Sequence, residues 1–273
     1  YTSYGTMTNL SKTWEKTDTY VSNIWGEYEN TFAQDHYFKA MAGWNYEKSS
    51  AETLYGYNSD LLTDDVTSLS LAMSSTNRNI YNTYSAYQYA GLFHRINYNW
   101  KNRYLVEYDG RLDGSSKFSS NKRWHYFPSG SIGWRVTEEP WFKVNPSAFS
   151  NLKLRFSIGS LGNANGLGNY QYKQIMGVAK SGYVLNGARQ NYVSRPAAVP
   201  ESLTWEKATT YDWGMDVASL KDRLSATFDY YLRKTTGMIT SGPTVPDVFG
   251  VASPRGNYAD LSTRGWELTL QWK

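Results

Sequence analysis

The chain has 273 residues, a formal net charge of +4 and a mean hydropathy of −0.61. It lacks the run of about 18 apolar residues that a transmembrane helix needs. With no cysteine it cannot form disulfides, thiolate metal sites or a cysteine nucleophile. The positive charge is read as spread along the chain, without the basic block that would point to nucleic acid. The 24 Tyr, 11 Trp and 10 Phe make an aromatic content of 16%, which suits β-sheet, carbohydrate contact or the interfacial girdles of a barrel.

Period-two alternation predicts strands near 18–33, 36–48, 84–100, 103–114, 126–137, 151–160, 204–218, 222–235 and 258–273. In YLVEYDGRL (104–112) the apolar Tyr104, Val106, Tyr108 and Leu112 oppose Glu107, Asp109 and Arg111. Leu152, Leu154, Phe156 and Ile158 oppose Lys153, Arg155 and Ser157. Leu224, Ala226, Phe228, Tyr230 and Leu232 oppose Arg223, Ser225, Thr227, Asp229 and Arg233. At the end, Trp266, Leu268, Leu270 and Trp272 oppose Glu267, Thr269, Gln271 and Lys273.

The connections alternate in length. AQD, KN and SLK are tight, whereas 49–83, 115–125, 161–203 and 236–257 are long; TEEPWFKVNPSAF after the fifth strand is intermediate. Up-and-down membrane barrels have short turns on the periplasmic side and long loops outside, whereas a Greek-key sandwich has no reason to keep that rhythm. Tyr98, Trp100 and Tyr104 flank the tight KN connection on the apolar face, and Trp272 stands at the same strand end. Tyr and Trp favour the membrane interface because an apolar ring carries a polar tip. The reading is therefore an all-β, antiparallel transmembrane β-barrel section of about nine strands. Tyr104, Val106, Tyr108, Leu154, Phe156, Leu224, Phe228, Trp266, Leu268, Leu270 and Trp272 are expected to face lipid. Glu107, Asp109, Arg111, Lys153, Arg155 and Glu267 are expected to face the lumen.

Five ordered stretches carry a family resemblance. They are GLFHRINYNWKNRYLVEYDGRLDGSSKF (91–118), YFPSGSIGWRVTEEPWF (126–142), NLKLRFSIGSLGNANGLGNYQY (151–172), LTWEKATTYDWGMDVASLKDRLSATFDYYLRKTTGMI (203–239) and NYADLSTRGWELTLQWK (257–273). Together they resemble the barrel of the SusC-like TonB-dependent outer-membrane transporters of Bacteroidetes, and DDVTSLSLA (64–72) looks like a loop of that family. The resemblance implies a 22-stranded barrel filled by a plug. No plug domain or TonB box is recognisable, so 1–273 is expected to be a section of one barrel domain. The chain opens at Tyr1 within polar sequence and has no signal peptide, as a processed chain or a piece of a longer one would.

By the same resemblance, the expected function is import of oligosaccharides or peptides across the outer membrane. The implied partners are a SusD-like surface lipoprotein, TonB (through a plug outside this chain), the cargo and outer-membrane lipid. No covalent chemistry, cofactor, metal or nucleic acid is implied. A siderophore or cobalamin receptor and a soluble secreted carbohydrate-binding or hydrolytic β-domain are the alternatives.

The remaining polar clusters carry little chemistry. GSLGNANGLGN (159–169) lacks the G-K-[ST] ending of a phosphate loop. Glu138 and Glu139 precede Pro140 and read as a solvated turn, and His36, His94 and His125 lie on separate segments without ligand spacing. The aromatic loops are the candidates for cargo or partner contact. Trp124, His125 and Tyr126 stand beside Lys122 and Arg123, and Tyr192 and Arg195 lie in the longest excursion near Tyr170, Tyr172 and Tyr183.

Overall fold

A computed structural model describes residues 9–61, 65, 67–74, 77–145, 148–196 and 198–273. The strands are β1 Asn9–Phe32, β2 His36–Ser59, β3 Asn79–Trp100, β4 Tyr104–Ser115, β5 Trp124–Arg135, β6 Phe149–Asn163, β7 Val178–Leu185, β8 Ala188–Val193, β9 Glu206–Ser219, β10 Leu224–Ser241 and β11 Arg255–Trp272. Nine of them hydrogen-bond in the order β1-β2-β3-β4-β5-β6-β9-β10-β11, while β7 and β8 form a separate two-stranded ribbon. The main ladders from β3 to β11 are antiparallel throughout. The fold class and the nine sheet strands agree with the sequence expectation. No helix of the described residues is long and apolar enough to cross a membrane.

The chain divides into two units, Tyr1–Ser22 with Glu47–Gln88, and Asn23–Tyr46 with Tyr89–Lys273. In the first, strand structure continues well past the alternating segments, so β1 begins at Asn9 rather than 18 and β2 runs to Ser59 rather than 48. The long excursion expected at 49–83 shrinks accordingly. Its described part folds back through Asn58, whose amide donates to the carbonyls of Leu69 and Ala72 at 3.4 and 3.3 Å. Of the DDVTSLSLA stretch, Asp64 and Val66 lie outside the described residues.

In the second unit the tight turns share one geometry. Lys101 and Asn102 both have positive φ (52° and 57°), and the Arg103 N–H donates to the Trp100 carbonyl at 3.0 Å. Positive φ at both central residues gives the turn a twist that matches the flanking strands. Asn186 and Gly187 (φ 51° and 76°) make the corresponding turn between β7 and β8. This hairpin lies inside the excursion read from the sequence as a plain loop.

Buried apolar side chains gather at the long-loop end. Phe118, Phe127, Ala164, Leu167, Leu203, Trp205 and Ile239 form one cluster, with Tyr89 packed against it. Phe118, from the DGSSKF loop, is fully buried. Its ring centroid lies 5.0 Å from that of Trp205, whose indole N–H donates to the Arg123 carbonyl at 2.9 Å. Beside them the Glu206 carboxylate accepts from the Ile239 N–H and from the Asn163 side chain, both at 2.7 Å. Asn257 clasps Thr204 through both of its backbone polar groups at 2.9 Å. Residues from five separate segments thereby tie the loops into one small core.

Candidate functional site: the two faces and the loop cluster

Because side chains alternate across a strand, the register decides which residues share a face. Tyr104, Trp134, Leu154, Met215, Phe228 and Leu268 stand opposite one another from β4 to β11. Val106, Ile132, Phe156, Trp213, Tyr230 and Trp266 form the next such row. Leu224 pairs Trp272, and Leu270 pairs Ala226. Tyr108 belongs to the same face, where its hydroxyl meets that of Tyr126 at 2.7 Å. All eleven residues expected to face lipid therefore lie on one continuous apolar face.

That face ends, at the tight turns, in a band of aromatic rings. Trp100 stacks on Tyr104 at 5.6 Å and on His36 at 6.2 Å, while Trp134 lies 6.3 Å from Trp141. Glu139 closes the band from the β5–β6 connection. Its carboxylate accepts from the Tyr104 hydroxyl at 2.5 Å and the Trp134 indole at 2.9 Å, with Arg103 at 3.6 Å. These hydrogen bonds, Tyr104's first, hold the Glu139 carboxyl below the usual carboxylate range. The sequence reading of Glu139 as a solvated turn residue needs correction, since it is only 8% exposed. Its partner Tyr104 is far away in sequence, so no local pattern marks it.

The opposite face is polar, and several ion pairs cross it. Arg155 forks onto Asp216 (Nε 2.9 Å and Nη2 3.1 Å) and reaches Asp229 at 2.9 Å. Arg95 meets Asp109, Arg111 meets Asp113 and Asn45, and Lys39 meets Glu27 and Glu29. Asn97 donates to Glu107. Arg155 stands opposite Gly133 on one side and Gly214 on the other. A Cβ at Gly214 would lie 2.6 Å from the Arg155 guanidinium carbon and 2.5 Å from an Asp229 oxygen. The missing side chain is what lets the guanidinium lie flat across the strand. Glu107, Asp109, Arg111, Lys153, Arg155 and Glu267 all occupy this polar face by register.

The loop candidates separate. Trp124, His125 and Tyr126 open β5 instead of lying in the preceding loop. Trp124 and Tyr126 take the apolar face, opposite Gly114 and Leu112, and His125 takes the polar one beside Phe127. Tyr192 is exposed on β8. Arg195 lies against Gly250, where a Cβ would collide with its guanidinium. The charge is also less evenly spread than the sequence reading held. Residues 161–200 contain Lys173, Lys180, Arg189 and Arg195 and no acid, an excess equal to the net +4 of the whole chain.

Such a sheet, apolar and aromatic-banded on one face and polar on the other, is the wall of a membrane barrel. The family model described as "TonB dependent receptor-like, beta-barrel" matches residues 1–273. The chain belongs to this family. It is 31% identical over 245 residues to TonB-dependent receptor P26 of Formosa agariphila, covering 89% of this chain and 24% of that protein. It is 34% identical over 189 residues to TonB-dependent receptor SusC of Bacteroides thetaiotaomicron, covering 66% of this chain and 18% of SusC. The chain thus spans a quarter or less of the curated relatives it matches. The structure of the RagAB peptide transporter superposes with a TM-score of 0.85 at 23% identity, over 97% of this chain and 28% of that one. The SusC-like resemblance read from the sequence holds, and the chain is an outer-membrane β-barrel protein.

Proposed function

We propose that this chain is a section of the barrel wall of a SusC-like nutrient importer. The apolar face meets outer-membrane lipid and the polar face lines the lumen, where paired Arg and Asp side chains present little net charge to a plug. The long connections open outside the cell, and the tight turns and Glu139 lie in the periplasm. Trp124 and Tyr126 then meet the outer membrane interface, while His125, Tyr192 and Arg195 remain candidates for cargo or partner contact. The partner is a SusD-like lipoprotein seated over the long loops, and the cargo is an oligosaccharide or peptide. TonB drives transport through a plug, and no bond of the cargo is made or broken.

The observation that carries this reading is the unbroken apolar row from Tyr104 to Leu268 opposite a polar face crossed by Arg–Asp ion pairs. The test is uptake of labelled oligopeptides and oligosaccharides by cells with and without the full-length transporter. Uptake of one cargo class should require the transporter and stop when TonB is deleted. Uptake that persists unchanged in the TonB-deleted cells would overturn the proposal.

A further inference from the structure

A pocket of about 360 Å³ opens where the β6–β9 and β10–β11 loops meet. That volume lies within the range of small-ligand sites. Its lining includes Leu167 and Leu203, both members of the buried loop core. Val199 and Ile175 extend the aliphatic surface, and Lys173 and Arg255 supply two cations. No carboxylate lines the pocket among the described residues.

The state of Lys173 distinguishes it from the paired arginines of the polar face. Each Arg discussed there is matched to a carboxylate. Lys173 instead has its ammonium 5.6 Å from the Tyr170 ring and 5.7 Å from the Tyr172 ring, with no ion pair among the described residues. Aromatic faces position a cation without cancelling its charge. Tyr170 also holds a left-handed backbone (φ 63°), and the Lys173 N–H donates to its carbonyl at 2.9 Å. A bulky residue in that region costs energy, and such strain gathers at binding sites. The turn therefore holds an un-neutralised positive charge at an apolar pocket.

We propose that this pocket receives the C-terminal residue of a peptide. Its free carboxylate goes to Lys173 and Arg255, and an apolar side chain packs on Leu167, Val199 and Leu203. A neutral sugar fits less well: Asn169, Gln171 and Ser253 offer it partners, but it has no anion for Lys173 and Arg255 and turns other hydroxyls onto aliphatic side chains. This inference rests on the importer reading and narrows its cargo to peptides.

The test uses the full-length transporter in detergent and a fluorescent peptide ending in leucine, as the free acid and as the C-terminal amide. The amide should bind roughly tenfold more weakly, the usual loss when a charged hydrogen bond goes. Lys173→Gln and Arg255→Gln should each weaken the free acid and shrink the acid–amide difference. Lys180→Gln, outside the pocket lining, should leave that difference intact. Equal binding of acid and amide would overturn the pocket assignment, and so would displacement of the peptide by oligogalacturonate that itself depends on Lys173. Uptake of the same peptide in cells deleted for the transporter separates the two levels. Lost uptake with equal acid and amide binding sinks the pocket alone, whereas unchanged uptake sinks the peptide-importer reading beneath it.

Discussion

Trp124 and Trp134 stand on the same face at opposite ends of β5, a strand of 12 residues. A tilted transmembrane strand needs about 9–11 residues to cross the hydrocarbon core. The two indoles are therefore spaced to sit at the two interfaces, with Ile132 and its neighbours on β4 between them. Tyr108, opposite Gly130, is then near the midplane, whereas Val106, opposite Ile132, lies closer to the Trp134 interface. Tyr108→Arg in the full-length protein should destabilise the barrel by roughly 2–4 kcal/mol in a folding titration, and Val106→Arg should cost less. A neutral result at Tyr108 would place that residue in water.

The Gly214 gap under Arg155 yields a paired comparison. Gly214→Ala pushes the guanidinium off Asp216 and Asp229, whereas a Cβ at Gly130 makes only ordinary contact, 3.5 Å from the Glu107 carbonyl oxygen. Gly214→Ala should cost about 1–2 kcal/mol through overpacking and lost pairing, and Gly130→Ala should be close to neutral. Denaturation midpoints of the two variants, measured side by side, check the difference.

Phe118 is the pivot of the loop core. Phe118→Ala should remove about 3–5 kcal/mol of local packing. The loss should appear as faster tryptic cleavage after Lys122 and Arg123, with the strands themselves still protected. Cleavage at the wild-type rate would show that the loops are held by something other than this cluster.

Glu139 gives the tight-turn end a pH dependence. Its folded carboxyl titrates below the usual value of about 4.3, so its contribution is complete above that value and is lost as pH falls through the lower folded one. Thermal melting in detergent should weaken on the acid side of about pH 4. Glu139→Gln should flatten that acid limb while leaving the neutral-pH fold intact.

Sidedness is tested by tags. An epitope inserted at Gly187, on the exposed β7–β8 turn, should be detected on intact cells, whereas one at Asn102 should be hidden until the outer membrane is opened. Reversed accessibility would invert the proposed orientation.

The sequence revealed structure where the two faces of a strand meet different surroundings. Within β4, β5, β6, β9, β10 and β11 apolar and polar residues alternate, and both the strands and their shared faces follow. Alternation fades in Ser49–Ser59, and the extra length of β2 was missed for that reason. The β7–β8 ribbon has little apolar periodicity, although Asn186–Gly187 is a recognised hairpin signal that was available. Phe118 and Glu139 escaped because their partners, Trp205 and Tyr104, are distant in sequence. Trp124 and His125 fall in the expected loop because β5 starts at Trp124, two residues before the alternation shows at Tyr126.

Arg155 between Gly133 and Gly214 acts like a key between two slots. A slip of two residues would keep every side chain on its proper face, so face polarity alone cannot forbid it. It would, however, bring Asp212 or Asp216 opposite Arg155 in place of Gly214, filling the slot. The glycines thus index the stagger of β5, β6 and β9. In a closed barrel the summed stagger, together with strand number, fixes tilt and radius. The width of the transport channel is accordingly set in part by positions that have no side chain at all.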